Sequence, residues 1–247
     1  MGRTKWALAA LALLATWSVR ARAGTLVYDT IPEWNGTTAI ATWGSVQSGY
    51  TATVGQTFLA PAGVLTLNSF SFEVTDFTPG STLSFQAAVY AWSGSLLGGN
   101  PPQGANGPPL FTSPAMAFVD TGSFQMVTIN TGGIALTPGA AYVALLTTSD
   151  PGSIAANGNA LKLFELGLTG FFVHQPNNGG GGFNFYNNTS SSQLNTTLWD
   201  DFADNGDLAW TATFTTVVVP EPGSLMLLFL GVAGLLVVQQ RRRERGS

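Results

Sequence analysis

Apolar and polar residues alternate along much of the chain, and a period of two is typical of β-strands with one buried face. In residues 83–92 every second side chain is apolar and shares a face, which leaves Tyr90 and Trp92 on the other face. Residues 70–74 alternate in the same way. Further strands are predicted at residues 25–29, 51–59, 125–130, 141–147, 161–166, 170–173 and 208–218. The pattern therefore predicts a body built of β-strands.

The segments between the predicted strands are rich in Gly, Pro and Asn, which favour turns. Pro79 followed by Gly80 favours a type II turn. Residues 98–109 are predicted to form a loop that cannot pair as a strand, and residues 176–182 a second loop. Thr131-Gly132-Gly133 predicts another turn, and no window between the two ends has a helical period. We expect an all-β fold, an antiparallel β-sandwich or jelly-roll-like body; a β-helix is the alternative, but it would need a fixed repeat.

A short apolar run near the N-terminus has the organisation of a secretory signal peptide. Arg3 and Lys5 precede this run. Ala21 and Ala23 follow it and supply small side chains at positions −3 and −1 of a cleavage site. We therefore expect residues 1–23 to be removed by cleavage after Ala23. The alternative is an uncleaved N-terminal anchor.

The C-terminal end has three parts: a Pro-Glu-Pro tripeptide, an apolar run and a basic tail. The residues that define it are Val219, Pro220, Glu221, Pro222, Arg241, Arg242 and Arg243. As an α-helix, residues 222–240 would span about 28 Å, just enough for the core of a bilayer. A buried core helix is the alternative, but arginines are typical of the cytoplasmic end of a membrane segment. The pattern predicts a transmembrane helix at about residues 223–240.

This order of parts resembles the PEP-CTERM sorting signal of Gram-negative bacteria. Parts of the body are also similar to the β-rich domain common in exported PEP-CTERM proteins, at residues 55–61, 67–72, 88–92, 109–113 and 206–214. The resemblance implies recognition by an exosortase, transient anchoring in the inner membrane and delivery to the cell surface or the extracellular polysaccharide matrix. It implies no activity for the body. The expected divisions are a signal peptide (1–23), a body (24–218) and a sorting signal (219–247).

Charge is distributed unevenly between the body and the two ends. Lys162 is the one cation of residues 24–219, against eleven carboxylates, so this part carries a net charge of −10 while the whole chain carries −4. A body with one lysine cannot offer a phosphate-binding surface, which excludes nucleic acid as a partner. Because the chain has no cysteine, an exported body must be held by its core or by a metal.

Residues that could carry catalysis are few. The chain has one histidine, His174, no cysteine nucleophile and no Gly-x-Ser-x-Gly motif. A glycoside hydrolase needs two carboxylates facing a cleft, and no pair stands out among the acids. We therefore expect a body that is not an enzyme and requires no cofactor.

An acidic stretch precedes the last predicted strand. It contains Asp200, Asp201, Asp204 and Asp207. Calcium prefers such oxygen ligands, but Ala203 and Ala212 would stand at ligand positions of an EF-hand, so the stretch is not one. The alternative is a polar turn in which Asn205-Gly206 supplies a positive φ. A Ca²⁺ site and a plain turn both remain open at this stage.

Aromatic residues offer a second candidate site. Sandwich domains that bind sugars place flat aromatic faces against pyranose rings, and core packing is the alternative for such residues. Trp92 and Trp199 are the candidate pair, because Trp199 adjoins the polar acidic stretch. Two hypotheses follow. The first is a non-catalytic exported protein of the cell envelope or matrix, and the second is a carbohydrate-binding module that holds matrix glycan with or without Ca²⁺.

Overall fold

The computed structural model of the chain describes residues 22–48, 51–97, 102–169, 179–199, 206–218 and 231–232. Thr25–Thr216 forms one unit, the body. Met1–Gly24 and Val217–Ser247 form a second unit, of which only residues 22–24, 217–218 and 231–232 are described.

The described elements are almost all strands. They are β1 (Arg22–Asp29), β2 (Ala39–Gly44), β3 (Thr53–Leu59), β4 (Val64–Thr75), β5 (Thr82–Ser93), β6 (Gly104–Thr112), β7 (Met116–Val119), β8 (Gln125–Ala135), β9 (Ala141–Thr147), β10 (Leu163–Gly167), β11 (Phe183–Tyr186) and β12 (Trp210–Val218). A short helix, α1 (Pro151–Asn157), and 3₁₀ turns at Ile31–Glu33, Val46–Ser48 and Ser191–Gln193 lie between them.

The strands form two sheets. The first has the order β1-β12-β4-β10-β2, with β8 also paired to β4. The second has the order β11-β3-β9-β5-β6, with β7 also paired to β5. Every strand pair whose register is described is antiparallel. The prediction of an all-β, antiparallel β-sandwich is therefore confirmed.

The main core lies where the apolar faces of the two sheets meet, which stabilises the fold by removing these faces from water. The predicted alternation places the expected residues there. Phe70, Phe72 and Val74 of β4, Leu83, Phe85, Ala87 and Val89 of β5, and Leu208, Trp210, Ala212 and Phe214 at β12 are all buried in this core.

A second, smaller core covers the outer face of the second sheet. It consists of Ala88, Tyr90, Trp92, Ala105, Val143, Leu145, Leu194 and Trp199. Strands β5 and β9 therefore bury both of their faces, because the segment before residue 199 folds back over them. Alternation alone predicted only one of these buried faces.

Two predictions about the connecting segments are wrong. Residues 98–109 were expected to stay unpaired, but β6 begins at Gly104 and pairs with β5. The register shifts between Val89 and Ala91, and β6 lies at the sheet edge, where Pro108 and Pro109 need not donate ladder hydrogen bonds. The edge position makes a Pro-containing strand possible.

Thr131-Gly132-Gly133 is also not a turn between strands. It lies inside β8, where Gly132 and Gly133 have φ of 72° and 88° and the register against β4 shifts between Leu67 and Ser69. Glycine allows this β-bulge because it has no Cβ. The sequence signal was real, but it marked an irregularity within a strand.

The body also contains a helix, although no helical period was found. Asp150 caps α1 by accepting a hydrogen bond from the Ser153 N–H at 3.0 Å, and Pro151 occupies the first turn. Seven residues are too few for a recognisable period.

The turn at Pro79-Gly80 is confirmed. Gly80 has φ of 85°, and the Ser81 N–H donates to the Thr78 carbonyl at 3.0 Å, as a type II turn requires. Besides β6, three further strands, β2, β7 and β11, were not predicted. The predicted strand at 170–173 and part of the loop at 176–182 lie outside the described residues.

Within the described residues no helix combines the length and the apolar character needed to span a membrane. The helix predicted at about residues 223–240 falls outside them except for Gly231 and Val232, so it stays a prediction.

Candidate functional site

The C-terminal signal follows directly after an interior strand. β12 pairs with β4 on one side and neighbours β1 on the other, and its side chains Trp210, Ala212 and Phe214 are fully buried. The strand ends at Val218. An interior strand is held by hydrogen bonds on both edges, and the sorting signal predicted from residue 219 follows it in the chain.

The residues predicted for sorting lie outside the described part of the chain. These are Val219, Pro220, Glu221, Pro222, Arg241, Arg242 and Arg243. Of the predicted signal-peptide cleavage residues, Ala21 also lies outside it, whereas Ala23 is an exposed residue of β1.

The predicted aromatic pair is brought together but is not exposed. The rings of Trp92 and Trp199 are 5.5 Å apart at 83°, and their exposed fractions are 6% and 0%. The Tyr186 ring stacks on the Trp199 ring, with 5.9 Å between the ring centroids. These side chains hold the second core together, so the expectation that they present an open face to a sugar is wrong.

Gly104 explains why Trp199 can approach so closely. A Cβ at this position would lie 2.0 Å from the Thr196 carbonyl oxygen and 2.7 Å from Trp199 Cδ1. Trp199, which was expected beside a polar stretch, therefore packs closely against the backbone of β6 and is buried there.

The predicted calcium ligands cannot be compared as a set. Asp200, Asp201 and Asp204 lie outside the described residues, as does His174. Asp207 is fully buried, and its Oδ1 accepts a hydrogen bond from Gln56 Nε2 at 2.8 Å. In the described residues no three His, Cys, Asp or Glu side chains are grouped as a metal site would require. Calcium binding stays a prediction.

An aromatic group outside both cores lies elsewhere on the body. It consists of Trp34, Phe77 and Phe124, which we call the Phe77 cluster. Phe124 contacts both partners edge-on, with ring centroids 4.7 Å from Trp34 and 5.5 Å from Phe77. Phe77 is 52% exposed, and none of the three belongs to either core. Phe77 is therefore the exposed ring of the cluster, whereas Trp34 and Phe124 are partly buried beneath it.

The backbone of Phe77 is unusual. Its φ is 58°, and it is the one residue other than glycine with a positive φ among those described. A bulky residue in this region is strained by about 1 kcal/mol or more, and such strain is concentrated at functional sites. The Phe77 N–H donates to Thr75 Oγ1 at 3.0 Å, which helps to hold this conformation.

A buried carboxylate clamps the two loops that carry Phe77 and Phe124. Asp120 is 2% exposed, and its carboxylate accepts hydrogen bonds from Thr75 Oγ1 at 3.0 Å and the Gly122 N–H at 2.9 Å. The Asp120 backbone also exchanges hydrogen bonds with Gly80 and Ser81. The cluster therefore stands on a rigid support.

Two carboxyl groups near this end of the first sheet have shifted pKa values. Burial acts to raise the pKa of Asp120, but hydrogen bonds from Thr75 and Gly122, together with contacts to Asp76, outweigh it and lower the pKa below its ordinary value. Burial raises the pKa of Glu73. The two pKa values shift in opposite directions because the Asp120 carboxylate receives hydrogen bonds that lower its pKa, whereas burial raises the pKa of Glu73.

Sequence reasoning missed the Phe77 cluster. Phe77 lies in a turn, and turns were treated as spacers. One signal was available: an aromatic residue between Asp76 and Thr78, in a segment otherwise made of polar and turn-forming residues, has no core to enter.

Comparison with known proteins assigns the C-terminal end. Residues 218–243 match the family model of the PEP-CTERM protein-sorting motif. No curated protein and no solved structure matches the chain. The motif implies export, membrane-anchored transit before release and processing by an exosortase. The chain is therefore a protein that carries a PEP-CTERM sorting motif directly after its β-rich body.

Proposed function

We propose that this protein is a non-catalytic component of the cell surface or of the extracellular polysaccharide matrix. In this proposal the signal peptide is removed after Ala23, the C-terminal segment holds the chain in the inner membrane, and an exosortase cuts near Pro220-Glu221-Pro222. The observation that carries the proposal is the sorting motif at residues 218–243. A strand end at Val218 supports it, because cutting after this point leaves in place every strand that the structure describes.

The test is the intact mass of the protein from its native host, with cell-bound and released fractions measured separately. We expect a released species that begins at Gly24 and ends near Pro220. Replacing Pro220 and Pro222 by Ala should keep the C-terminal segment attached, whereas the control Glu244→Ala should not. A released species that still contains residues 223–240 would overturn the proposal.

Glycan binding is a second candidate function, and the Phe77 cluster favours it. An exposed aromatic ring such as that of Phe77, on a rigid support, suits stacking on a pyranose ring, since little conformational entropy is lost on binding. Exposed Asn35, Thr78 and Ser123 lie on the same loops and supply hydrogen-bonding groups. The net charge of −10 favours a neutral glycan over an acidic one.

Retention of the protein on immobilised matrix polysaccharide tests this candidate. Phe77→Asn is the informative variant, because asparagine tolerates a positive φ and removes only the ring. Leu110→Asn, at another exposed apolar residue, is the matched control. We expect Phe77→Asn alone to lose retention. Equal retention of both variants would exclude the cluster as a glycan site.

A further inference from the structure

Four positions of the body match the acceptor pattern of N-linked glycosylation, in which Asn is followed by any residue except Pro and then by Ser or Thr. The asparagines of these patterns are Asn35, Asn187, Asn188 and Asn195. In an exported chain such a pattern can be modified only where the fold leaves it accessible. The structure describes all four, so their surroundings can be compared.

The two overlapping patterns at Asn187 and Asn188 are closed off by the fold. Asn188 is 2% exposed, and its Nδ2 donates to Ser149 Oγ at 2.7 Å. Asn187 is exposed, but the Thr189 N–H of its pattern donates to Gln193 Oε1 at 2.9 Å. Because a transferase must bind all three residues of a pattern, it would have to withdraw Asn188 from the interior in both cases.

The pattern at Asn195 is held against a strand. Asn195 itself is exposed, but the Thr197 carbonyl accepts a hydrogen bond from the Gln103 N–H at 3.0 Å. The Thr196 carbonyl oxygen lies so close to Gly104 of β6 that a Cβ there would be 2.0 Å from it. Access to this pattern would therefore require the segment that covers the second core to detach.

The pattern at Asn35 differs from the other three, because all of its residues are exposed. Asn35, Gly36 and Thr37 form the tip of a turn between the first 3₁₀ turn and β2. Trp34 Nε1 donates to the Thr38 carbonyl at 2.7 Å and closes the base of this turn. A Cβ at Gly36 would meet no other atom within 4 Å, so the space around the tip is open.

The turn also fixes the amide of Asn35. Its Oδ1 accepts hydrogen bonds from the Thr37 N–H at 2.9 Å, the Thr38 N–H at 2.7 Å and Thr37 Oγ1 at 3.2 Å. Because a backbone N–H can only donate, the amide atom that faces these groups is the oxygen. Donors on Oδ1 stabilise the negative charge that develops on it when Nδ2 loses a proton. The turn therefore eases the proton loss that bond formation at Nδ2 requires.

A carboxylate accompanies this pattern alone. Glu33 lies two residues before Asn35 and is exposed. At the same spacing the other three patterns have Phe185, Tyr186 and Gln193. An exposed carboxylate gives a transferase a group that it can bind through a charge-assisted hydrogen bond.

We propose that Asn35 is an N-glycosylation site, at which a transferase attaches an oligosaccharide supplied on a polyprenyl diphosphate. A bond forms between Asn35 Nδ2 and C1 of the first sugar. The bond between C1 and the diphosphate oxygen breaks, and the polyprenyl diphosphate leaves with the electron pair. The proton lost from Nδ2 passes to a base of the transferase. This inference goes beyond the proposed function and rests on the export that the sorting motif implies.

Mass spectrometry of the protein from its native host tests the site. Cleavage before aspartate gives a fragment of residues 29–75, which contains only the Asn35 pattern, and a fragment of residues 150–199, which contains the other three. We expect the first fragment to exceed its sequence mass by a sum of monosaccharide units, with the sugar located on Asn35 by fragmentation. The second fragment should have its sequence mass.

Variants in the same host separate the roles of the residues. Asn35→Gln and Thr37→Val should abolish the added mass, whereas Thr37→Ser, which restores a hydroxyl, should retain it. Glu33→Gln should lower the modified fraction several-fold. Asn195→Gln is the matched control at an exposed acceptor pattern and should leave the modified fraction unchanged.

The opposing outcomes are distinct. A first fragment at its sequence mass would overturn the proposal, and so would added mass that persists in Asn35→Gln, since the sugar would then be attached to another side chain. The intact mass of the released protein reports both chain ends in the same experiment. Ends at Gly24 and near Pro220 without sugar would refute the modification alone, whereas a modified released species that retains residues 223–240 would refute the proposed function alone.

Discussion

At the scale of single residues, buried polar side chains connect parts of the chain that are far apart in sequence. Gln56 is the clearest example. It is fully buried in β3, its Nε2 donates to Asp207 Oδ1 at 2.8 Å, and its Oε1 accepts from the Leu208 N–H at 2.9 Å. One glutamine therefore satisfies two buried groups just before β12 begins.

Replacing Gln56 by Leu should destabilise the body by about 3 kcal/mol. The substitution removes the amide that makes both hydrogen bonds, so Asp207 Oδ1 and the Leu208 N–H stay buried without them. Urea unfolding followed by fluorescence measures this. Gln125→Leu is the matched control: its amide makes one long, exposed hydrogen bond of 3.4 Å to the Val119 carbonyl, and its loss should cost no more than about 0.5 kcal/mol. Similar losses for both variants would contradict the bridging role.

Asp120 should make the stability of the body depend on pH. Its folded pKa lies below the ordinary value of 3.8, so its contribution is complete above that value and is lost as the pH falls through the folded pKa. Asp120→Asn should therefore be less stable than the native chain near neutral pH, and the difference should shrink under strongly acidic conditions. Urea unfolding across this range is the measurement.

Glu73→Gln provides a control in which the change in stability near neutral pH is expected to have the opposite sign. Burial raises the pKa of Glu73 above 4.5, so the charged form costs stability as the pH rises through the folded pKa. Glu73→Gln should be more stable than the native chain near neutral pH, with the gain vanishing in acid. The same pH trend in both variants would mean that general acid unfolding, and not these two groups, sets the dependence.

At the scale of elements, the sequence predicted those strands that bury a regular apolar face and missed elements that do not. Alternation found β4, β5, β9 and β12, since their inward residues are apolar and regular. It did not find β6, whose prolines are tolerated only at a sheet edge, or α1, which is held by the Asp150 cap. Burial of Trp92 and Trp199 could not be predicted, because it arises from a segment that folds back over the outer face of a sheet.

The second core should therefore loosen separately from the main core. Trp199→Ala removes a buried ring that contacts Trp92 and Tyr186, a change that typically costs about 3–5 kcal/mol in a core. Hydrogen exchange should become faster mainly in residues 187–199. Trp210→Ala, in the main core, should instead speed exchange throughout the body. Global acceleration by Trp199→Ala would show that the two cores unfold together.

At the scale of the whole molecule, folding and sorting are separated along the chain. The body ends with an interior strand, and the residues recognised for sorting begin where that strand ends. Among the described residues, removing the motif therefore takes no side chain from either core. Removing β12 as well would expose the facing edges of β1 and β4 and take Trp210, Ala212 and Phe214 out of the main core.

A chain of residues 24–219 should consequently unfold in one cooperative transition, at the temperature measured for the body of the anchored protein. A chain of residues 24–209 should show no such transition. Without β12 the facing edges of β1 and β4 lose their hydrogen-bond partners, and the main core loses the side chains of that strand. Calorimetry of both chains, with the full chain in vesicles as the reference, makes the comparison. If residues 24–219 failed to fold, the body would depend on its C-terminal segment, and release by cutting near Pro220 would destroy the protein instead of delivering it.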